Sequence, residues 1–454
     1  MAAKGIIGEE EKRMASLCVE TALGKGASAV RITLEKTVQN SISVLDGRVD
    51  RISCSRDRSL YASLFVDGSF GHFSTNRLES ESLESFISEA IDHVKLLAKD
   101  PCRTLPEKES KAYGCSEGDE LGLYDGSFDA LSQSARLDMA LKAARNTGTV
   151  PQGCTLETVE AEYSDSCEDE YMTDSDGFEG RHIETSFGFC AEATVKDSQG
   201  NRYSGYWWDS SPSFPALDIS GVTAEAIQRA AGKISPSPIS SGRYSIVVDR
   251  SCASRLVSPL IQALNAENIQ QNNSFLKDRL GLKVFSEHLT VKDIAVEKYR
   301  AGSRLYDSEG TATANRTVID RGVVNMFFAN THMAAKTGMK HTVDNMSRAC
   351  VEPFIWNCRK KEINLKDIMS SLRDGVYVTG FNGGNCNEGT GDFSFGIEGV
   401  LFKDGHPVHP VSEVIMTGNM LGLWNSVVAA GSDPRKCSRW QIPSLAFCDV
   451  ELDA

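Results

Sequence analysis

The sequence predicts an α+β protein. We expect an N-terminal α+β region with antiparallel sheets and flanking helices, followed by a mainly antiparallel-β C-terminal domain with short helices. Two observations predict this class. Segments with helical apolar spacing flank runs in which apolar and polar residues alternate, the pattern of strands with one buried face. Asp-Gly pairs, a strong hairpin signal, separate several of these runs, at 46–47, 67–68 and 404–405.

The elements of the N-terminal half follow from this spacing. Apolar residues at helical intervals predict helices over 10–24, 80–98, 132–146 and 223–231. Alternating runs between 29 and 75, joined by two Asp-Gly turns, predict an antiparallel sheet. Residues 157–206 are expected to form several long antiparallel strands.

The C-terminal half is expected to begin with a strand at 244–248 and a helix around 253–264, followed by further strands up to Phe328. Short helices are predicted at 331–337 and at 365–372, the second capped by Asn364. The stretch from Asn382 to Asn419 is interpreted as a Gly/Asn-rich loop followed by two strands with a tight turn between them. A last helix is predicted at 421–428.

The length of 454 residues is too great for one ordinary core, so several domains are expected. The clearest boundary is 234–242, where two prolines and four serines disfavour regular structure. The predicted segments are an N-terminal α+β subdomain (1–105), a linker (106–130), an acidic antiparallel sheet subdomain (131–233), a Pro/Ser linker (234–242) and a C-terminal domain (243–454).

Charge and cysteine content narrow the function classes. The net charge is −14, and residues 157–197 carry thirteen Asp and Glu against one Arg and one Lys. Such a segment repels phosphate backbones, so no nucleic-acid partner is expected. It is either a solvated face of a sheet or a surface that attracts basic peptides or a partner. The thirteen cysteines form no Cys-x-x-Cys pair, which indicates reduced thiols in a cytoplasmic protein.

Two further features bear on location and binding. No apolar run approaches the length of a membrane span, and the first residues lack the apolar core of a signal peptide, so no membrane partner is expected. Aromatic residues cluster at the end of the acidic segment, where they either belong to the core or grip a peptide. They are Tyr203, Tyr206, Trp207 and Trp208.

Two blocks of the C-terminal half carry a family resemblance. The first combines Gly-Thr-Gly-Asp-Phe-Ser at 389–394, Asp-Gly-x-Pro-Val-x-Pro-Val at 404–411 and Thr-Gly-Asn at 417–419. The second is Leu-Tyr-Asp-Ser-Glu-Gly at 305–310, followed by the run at 316–323. Together they resemble the TldD/PmbA family, which was historically labelled modulator of DNA gyrase and is regarded as a cytoplasmic metallopeptidase system. The resemblance is clear over 242–453 and looser before it.

The resemblance implies a place for a catalytic metal. In the active half of the family, a helix after the domain-opening strand carries His-Glu-x-x-x-His, whose histidines bind zinc while the Glu acts as general base. The corresponding segment here, 255–264, contains no histidine and no carboxylate, and no histidine in the chain is followed by Glu. The family's active members supply a cysteine ligand near the chain end, and Cys437 is the matching weak candidate. A lone thiolate cannot hold catalytic zinc.

The remaining histidines and loops offer no convincing alternative. His406 and His409 lie between prolines in the hairpin, and His332 and His341 are nine residues apart. Both pairs are either metal ligands or ordinary polar residues. The glycines around Gly391 match neither a Gly-x-Ser-x-Gly elbow, a P-loop nor a dinucleotide-binding turn. We therefore predict no catalytic residue and no cofactor in this chain.

These departures match the PmbA/TldE-like branch of the family, which lacks the zinc motif and pairs with a zinc-bearing TldD-like subunit. The resemblance implies that this chain, inactive alone, completes the substrate cleft of a peptidase for unfolded or extended peptides. The expected substrate-binding residues are Asn385, Gly389, Thr390, Gly391 and Asp392, although these glycines alternatively only shape a turn. The alternative function is a homodimeric peptide-binding or regulatory protein of the gyrase-modulator type, without peptidase activity.

Overall fold

A computed structural model describes residues 4–356 and 362–454. The described chain divides into two compact units. The first comprises Met1–Ala230, Val296–Thr313 and Asn330–Asp344, and the second comprises Ala231–Ala295, Ala314–Ala329 and Asn345–Ala454. The C-terminal half of the sequence therefore contributes two excursions to the first unit.

The structure contains both helices and antiparallel sheets, and the predicted α+β class is confirmed. The described α-helices are α1 (Glu9–Gly24), α2 (Ser80–Val94), α3 (Ser127–Ala130), α4 (Gln133–Arg145), α5 (Val222–Ala231), α6 (Ser254–Ala263), α7 (Ala266–Gln270), α8 (Thr331–Thr337), α9 (Leu365–Leu372) and α10 (Met420–Asn425). The described strands are β1 (Ala29–Leu45), β2 (Arg48–Val66), β3 (Ser69–Thr75), β4 (Cys154–Asp174), β5 (Glu179–Asp197), β6 (Arg202–Ser211), β7 (Gly242–Val248), β8 (Val291–Asp293), β9 (Arg316–Asp320), β10 (Val323–Val324), β11 (Ala349–Val351), β12 (Phe354–Ile355), β13 (Gly375–Cys386), β14 (Asp392–Lys403), β15 (His406–Asn419), β16 (Val427–Ala430) and β17 (Leu445–Asp453).

The first unit is built on a six-stranded antiparallel sheet in the order β3-β2-β1-β4-β5-β6. Helices α1 and α2 cover one end of one face, because their apolar stripes pack with alternate residues of β1 and β2. Ile32, Leu64 and Ile87 are fully buried in that core. Further along the same face, Phe128, with residues of β4 and β5, forms a second cluster.

Successive side chains of β4 and β5 point to opposite faces of the sheet, so the carboxylates of the acidic segment (157–197) lie in different surroundings. Three of its carboxylates are buried, and each is bound to a basic side chain. The pairs are Asp165 with Arg136, Asp169 with Arg181, and Asp174 with Lys111. On the face opposite Asp165 and Asp169, burial raises the pKa of Glu35, and neighbouring Glu170 and Glu168 raise it further. The segment is therefore only partly a solvated acidic face.

The second unit contains a four-stranded sheet, β10-β9-β8-β11, and a seven-stranded sheet, β12-β16-β17-β15-β14-β13-β7. Strand β17 also pairs with β7, so that β7, β13, β14, β15 and β17 close into a ring. Only β7 with β13 is parallel among the described strand pairs of this sheet. Closure leaves the ring without an open edge where these strands overlap.

Most helices lie where the sequence predicts them. Helix α9 begins with a capping box, because the Asn364 side chain accepts from the Asp367 amide while Asp367 accepts from the amide of Asn364. Helix α8 also occupies its predicted bounds. None of the helices in the described part of the chain combines the length and the hydrophobicity that a membrane crossing needs.

Two predictions for the C-terminal half were wrong. Residues 382–386 do not belong to a loop, because they are the end of β13, which reaches Cys386 through irregular pairings with β14. The helix predicted at 421–428 ends at Asn425, and Val427–Ala430 forms strand β16 against β17. The β-branched pair Val427-Val428 and the neighbouring β17 favour the strand there.

Candidate substrate-binding loop

The predicted binding residues lie around the connection between β13 and β14, which we call the tip loop (387–391). Backbone bonds close this loop on itself. The amide of Asn387 donates to the carbonyl of Asp392 at 2.8 Å, and the amide of Gly391 donates to the carbonyl of Asn387 at 2.7 Å. The Asn387 side chain accepts from the amides of Gly389 and Thr390, at 3.0 and 3.2 Å. The loop is therefore a fixed turn, with its backbone groups largely satisfied.

Asn419, at the end of β15, fastens the tip loop to the sheet. Its side-chain amide donates to the carbonyl of Thr390 at 2.9 Å and to the carboxylate of Asp392 at 2.8 Å. The Thr390 hydroxyl donates to the same carboxylate at 2.8 Å. The bonds from Asn419 and then Thr390 lower the pKa of Asp392. The loop therefore presents a carboxylate that stays ionised at neutral pH.

The structure thus brings Thr390, Gly391 and Asp392 together, with Gly389 in the same turn. Asn385 lies apart from them on β13, where it is exposed and pairs with Ser394. Whether these five residues bind substrate stays a prediction.

Two glycines are required by local geometry. Gly391 adopts a φ of +81°, and a Cβ there would lie 3.2 Å from the ring of Phe275. Gly384 also has a φ of +81°, and a Cβ would lie 1.9 Å from the carbonyl oxygen of Ser394. Only glycine fits at Gly384, which combines positive φ with so close a backbone approach, and at Gly391 the positive φ and the Phe275 ring disfavour a side chain.

The outer part of β13 has an open edge. Its parallel partner β7 pairs only with Val376–Val378, whereas β13 continues to Cys386. Asn382, Gly383 and Asn385 are exposed in this continuation. An open edge of this kind is where an extended peptide adds as a further strand.

Helix α6 touches this edge through Arg255. Its guanidinium donates to the carbonyl of Gly384 at 2.5 Å and lies 5.2 Å from the centre of the Phe395 ring. Arg255 itself is exposed. A cation therefore stands beside the glycine-rich end of β13.

A pocket of about 260 Å³ opens on another side of Asn419. Its wall includes Arg243, Phe393, Gly418 and Leu423. Arg243 pairs with Asp449, which also lines the pocket, at 2.8 Å. Asn419 therefore separates the tip loop from a small pocket with an ion pair at its border.

The residues near the tip loop do not provide a nucleophile. Burial, and then the charges of Glu388 and Asp392, raise the pKa of the Cys386 thiol to about 11, so the thiol is protonated at neutral pH. Ser394 lies within β14 and not on a strand-to-helix elbow, as the sequence predicts.

Helix α6, where the family resemblance implies a zinc-binding helix, carries no residue that fits a zinc ion. Helix α6 buries Leu256, Val257 and Leu260, contains Pro259, and offers neither imidazole nor carboxylate. Zinc in proteins is held by Cys, His, Asp or Glu side chains. Cys437 belongs to no group of three or more such residues in the described ranges, and the same is true of the histidines.

The histidines considered as alternative ligands have other contacts. The rings of His406 and His409 lie 2.8 and 3.0 Å from the backbone carbonyls of Asp404 and Pro410. His332 is buried and lies 2.9 Å from the carboxylate of Asp100, and His341 lies 3.4 Å from the Thr331 hydroxyl. These contacts are typical of structural histidines.

The first part of the second motif block, residues 305–310, forms an acidic turn in the first unit. Asp307 is buried and accepts from the amides of Glu309, Thr311 and Asp344, each at 2.9 Å. Burial, and then the negative charge of Asp344, raise the pKa of Asp307 to about 7. Glu309 accepts from the amide of Thr331 at the start of α8, at 2.8 Å. The carboxylates therefore hold this turn and α8 in place.

Sequence reasoning missed Asn387, Asn419 and Arg255 as parts of this site. The sequence does contain a signal for Asn419, since this residue ends the Thr-Gly-Asn motif. A regular ladder from the turn at 404–405 would place Asp392 opposite Thr417. Two register irregularities in the hairpin shift the partner of Asp392 to Asn419. No sequence signal marks the contact of Arg255.

Comparison with protein families defines the class of this fold and site. Three family models match in chain order: PmbA/TldA metallopeptidase domain 1 over residues 30–93, the central domain over 126–234 and the C-terminal domain over 241–453. Together they account for most of the chain. The chain belongs to the PmbA/TldD metallopeptidase family.

Particular relatives share this architecture over nearly their whole length. A crystal structure of a Bacteroides thetaiotaomicron protein described as a modulator of DNA gyrase is 37% identical, with a TM-score of 0.93 over 99% of this chain and 100% of that one. Metalloprotease PmbA of Escherichia coli O157:H7 is 22% identical, over 96% of this chain and 94% of the relative. TldE from Thermococcus kodakarensis is 16% identical with a TM-score of 0.83, over 97% of this chain and 100% of that one, which supports the fold alone.

Proposed function

We propose that this chain is the non-zinc, PmbA/TldE-like subunit of a cytoplasmic two-subunit metallopeptidase. In this role it pairs with a zinc-bearing TldD-like subunit and completes that subunit's substrate cleft. The observation that carries the proposal is the composition of α6. The family resemblance places the zinc ligands of the active members on this helix, whereas α6 buries an apolar face, contains Pro259 and carries no His, Cys, Asp or Glu.

The open edge of β13 supports a role in holding the substrate. An extended peptide offers one amide and one carbonyl per residue, and a sheet edge satisfies these groups without reading the side chains. Such binding suits a peptidase for unfolded peptides of varied sequence. The exposed backbone at Gly383 and Asn385 leaves room for a close approach.

The charges beside this edge support an orientation for the peptide. Arg255 stands at Gly384, and ionised Asp392 stands at the tip loop. A carboxylate terminus or acidic side chain is attracted toward Arg255, whereas an amino terminus or basic side chain is attracted toward Asp392. The chain's own residues bind and orient the peptide, and any zinc chemistry belongs to the partner.

The experiment compares this chain alone, a zinc-bearing relative alone and their mixture, with a casein-derived peptide as substrate. Zinc and hydrolysis are expected with the partner, and hydrolysis should rise on addition of this chain. Asn385→Trp and Thr390→Trp, which place bulk on the exposed binding surface, should raise KM more than they lower kcat. Val408→Trp is the matched control, because Val408 is 52% exposed near the other end of the same hairpin.

Two results would contradict the proposal. One is hydrolysis by this chain alone with one bound zinc. The other is a mixture whose activity equals that of the relative alone, and this outcome would favour the homodimeric regulatory alternative.

A further inference from the structure

One face of the six-stranded sheet in the first unit collects glutamates in pairs. Residues directly opposite in an antiparallel ladder point to the same face, as do alternate residues of one strand. Three pairs of glutamates lie directly opposite each other on this face: Glu35 with Glu170, Glu168 with Glu184, and Glu160 with Glu192. We call this surface the glutamate face. Helices α1 and α2 pack on the other face of the sheet, where Ile32 and Leu34 are buried.

The pairing of these glutamates is unfavourable for the chain by itself. Like charges directly opposite each other destabilise a sheet. Burial, and then the charge of Glu184, raise the pKa of Glu168, while His182 and Arg304 act in the opposite direction. The buried aspartates of the same strands each bind a basic side chain, whereas Glu35 and Glu168 form no ion pair within the described chain. The glutamate face is therefore suited to a cation from outside the chain.

A buried hydroxyl lies at one end of the glutamate face. Tyr306 is 4% exposed and packs with Met172, two residues from Glu170 along β4. Burial, and then the charge of Glu170, raise the pKa of Tyr306. The hydroxyl therefore lies near this carboxylate, yet it has no hydrogen bond of normal geometry within the described chain. A buried polar group without a partner costs free energy, and a donor from a ligand beside Glu170 would supply the missing hydrogen bond.

The aromatic residues of β6 divide between the two faces of the sheet. Trp207 lies under the guanidinium of Arg229 in α5, with 4.0 Å from the guanidinium carbon to the ring centre. Tyr206 lies directly opposite Glu192, so it and Trp208, two residues further, point to the glutamate face. Their rings stack with centres 5.7 Å apart, and Tyr206 is 50% exposed. The glutamate face therefore also carries an exposed aromatic pair.

These features together select the class of ligand. Carboxylates and the faces of aromatic rings both attract cations. In the described ranges, no three His, Cys, Asp or Glu side chains converge on a position for a metal ion. A lysine or arginine side chain has a carbon stem that lies on a ring while its charge reaches a carboxylate. Glutamates follow β5 from Glu184 to Glu192, a distance of about 27 Å, which suits an extended chain with several cations.

We propose that the glutamate face binds lysine- and arginine-rich segments of extended peptides. Cations of the segment lie between the paired carboxylates, and one of them lies against Tyr206 and Trp208. The proposal rests on the proposed function only where it makes this peptide a substrate of the two-subunit enzyme, since the binding surface belongs to this chain alone. Under that function, the face gives the peptidase a preference for basic unfolded substrates.

A binding experiment on the full chain, without a partner, tests the proposal by fluorescence anisotropy. The probes are labelled peptides of about ten residues, long enough to span the face, with lysines among glycines and serines. Matched peptides carry glutamine or glutamate in place of each lysine. The lysine peptide should bind, with an affinity that falls as salt rises, and the glutamate peptide should not bind.

Substitutions without a change of size locate the binding surface. Glu35→Gln and Glu168→Gln should each raise the dissociation constant of the lysine peptide about three- to fivefold, and the double variant about tenfold or more. Glu84→Gln is the matched control, because it changes the net charge equally but lies exposed on α2, away from the glutamate face. Its dissociation constant should equal that of the wild type.

Thermal denaturation separates binding from folding. Glu168→Gln removes a like-charge contact, so its melting temperature should stay the same or rise. Tyr306→Phe removes a buried hydroxyl without a partner, so it should weaken binding about twofold or more without lowering the melting temperature. Weaker binding that always accompanies a lower melting temperature would show a merely structural role and overturn the proposal.

Other results would also overturn it. These are a lysine peptide that does not bind, equal dissociation constants for the wild type and the double variant, and spermidine that binds more tightly than the lysine peptide, which would assign the face to a small polyamine. The proposed function is tested separately, by hydrolysis in the mixture with a zinc-bearing relative. Intact lysine-peptide binding without any gain of hydrolysis would refute that function and support the present inference.

Discussion

The buried pair of Asp169 and Arg181 provides the sharpest test of how the first unit is held together. Asp169 accepts from the amides of Ile6 and Ile7, at 2.7 and 2.8 Å, and from two nitrogens of Arg181, at 2.9 and 2.7 Å. Arg181 also donates to the carbonyls of Lys4 and Ile7. The pair therefore ties the start of the described chain to the middle of the sheet.

Asp169→Asn removes the charge while keeping the size of the side chain. The substitution leaves the guanidinium of Arg181, which is 8% exposed, without its counter-ion. It also allows the side-chain NH₂ of the new Asn to face the backbone amides of Ile6 and Ile7, which are donors as well. Breaking a buried pair on one side costs about 3–5 kcal/mol. For a unit of this size that loss lowers the melting temperature by about 10 °C.

The assay is chemical and thermal denaturation followed by circular dichroism, with Glu157→Gln as the control. Glu157 pairs with Arg202 in the same sheet, but the side chain of Arg202 is 62% exposed, so little change is expected there. Equal effects of the two substitutions would refute the reasoning, because burial would then not decide the cost.

Three further predictions concern the turn at 307–310, the end of β13 and the tip loop. Asp307 has a folded-state pKa of about 7, raised by burial and then by Asp344 above the ordinary value of 3.8, so the folded state retains a proton that the unfolded chain releases. The free energy of unfolding should therefore fall as pH rises from about 4 to about 7 and then level off. Asp344→Asn should make this fall smaller, as measured by denaturation across the same pH range. A free energy of unfolding that rises over this range would contradict the prediction. Gly384→Ala should destabilise the second unit by about 1–3 kcal/mol or more, because the new Cβ meets backbone at a positive φ. Gly383→Ala is the control in the same denaturation experiments, and it should cost clearly less because its Cβ has open space. Asn419→Ala removes the N-cap of α10 and the hydrogen bonds to the tip loop. It should lower the free energy of unfolding by about 1 kcal/mol and speed amide hydrogen exchange at Gly391. Unchanged exchange would show that the tip loop is ordered without Asn419.

Local signals predicted much of the fold. The Asp-Gly turns lie between paired strands at 46–47, 67–68 and 404–405, and the helices with clear caps or apolar stripes lie where expected. These features depend on neighbours within a few residues, so they are visible in one sequence.

The errors came from contacts between distant residues. The end of β13 contains Gly383 and Gly384, which a sequence pattern assigns to a loop, but pairing with β14 keeps it extended. Strand β16 exists because β17, about twenty residues later, lies beside it. The contact of Asn419 with Asp392 depends on two irregularities whose positions no local pattern marks.

Zinc titration of the purified chain, followed by metal analysis after dialysis, tests the central claim most directly. The account predicts binding well below one equivalent at micromolar zinc and no peptide hydrolysis without a partner, because α6 carries no ligand. One tightly held zinc per chain, with hydrolysis by this chain alone, would contradict it.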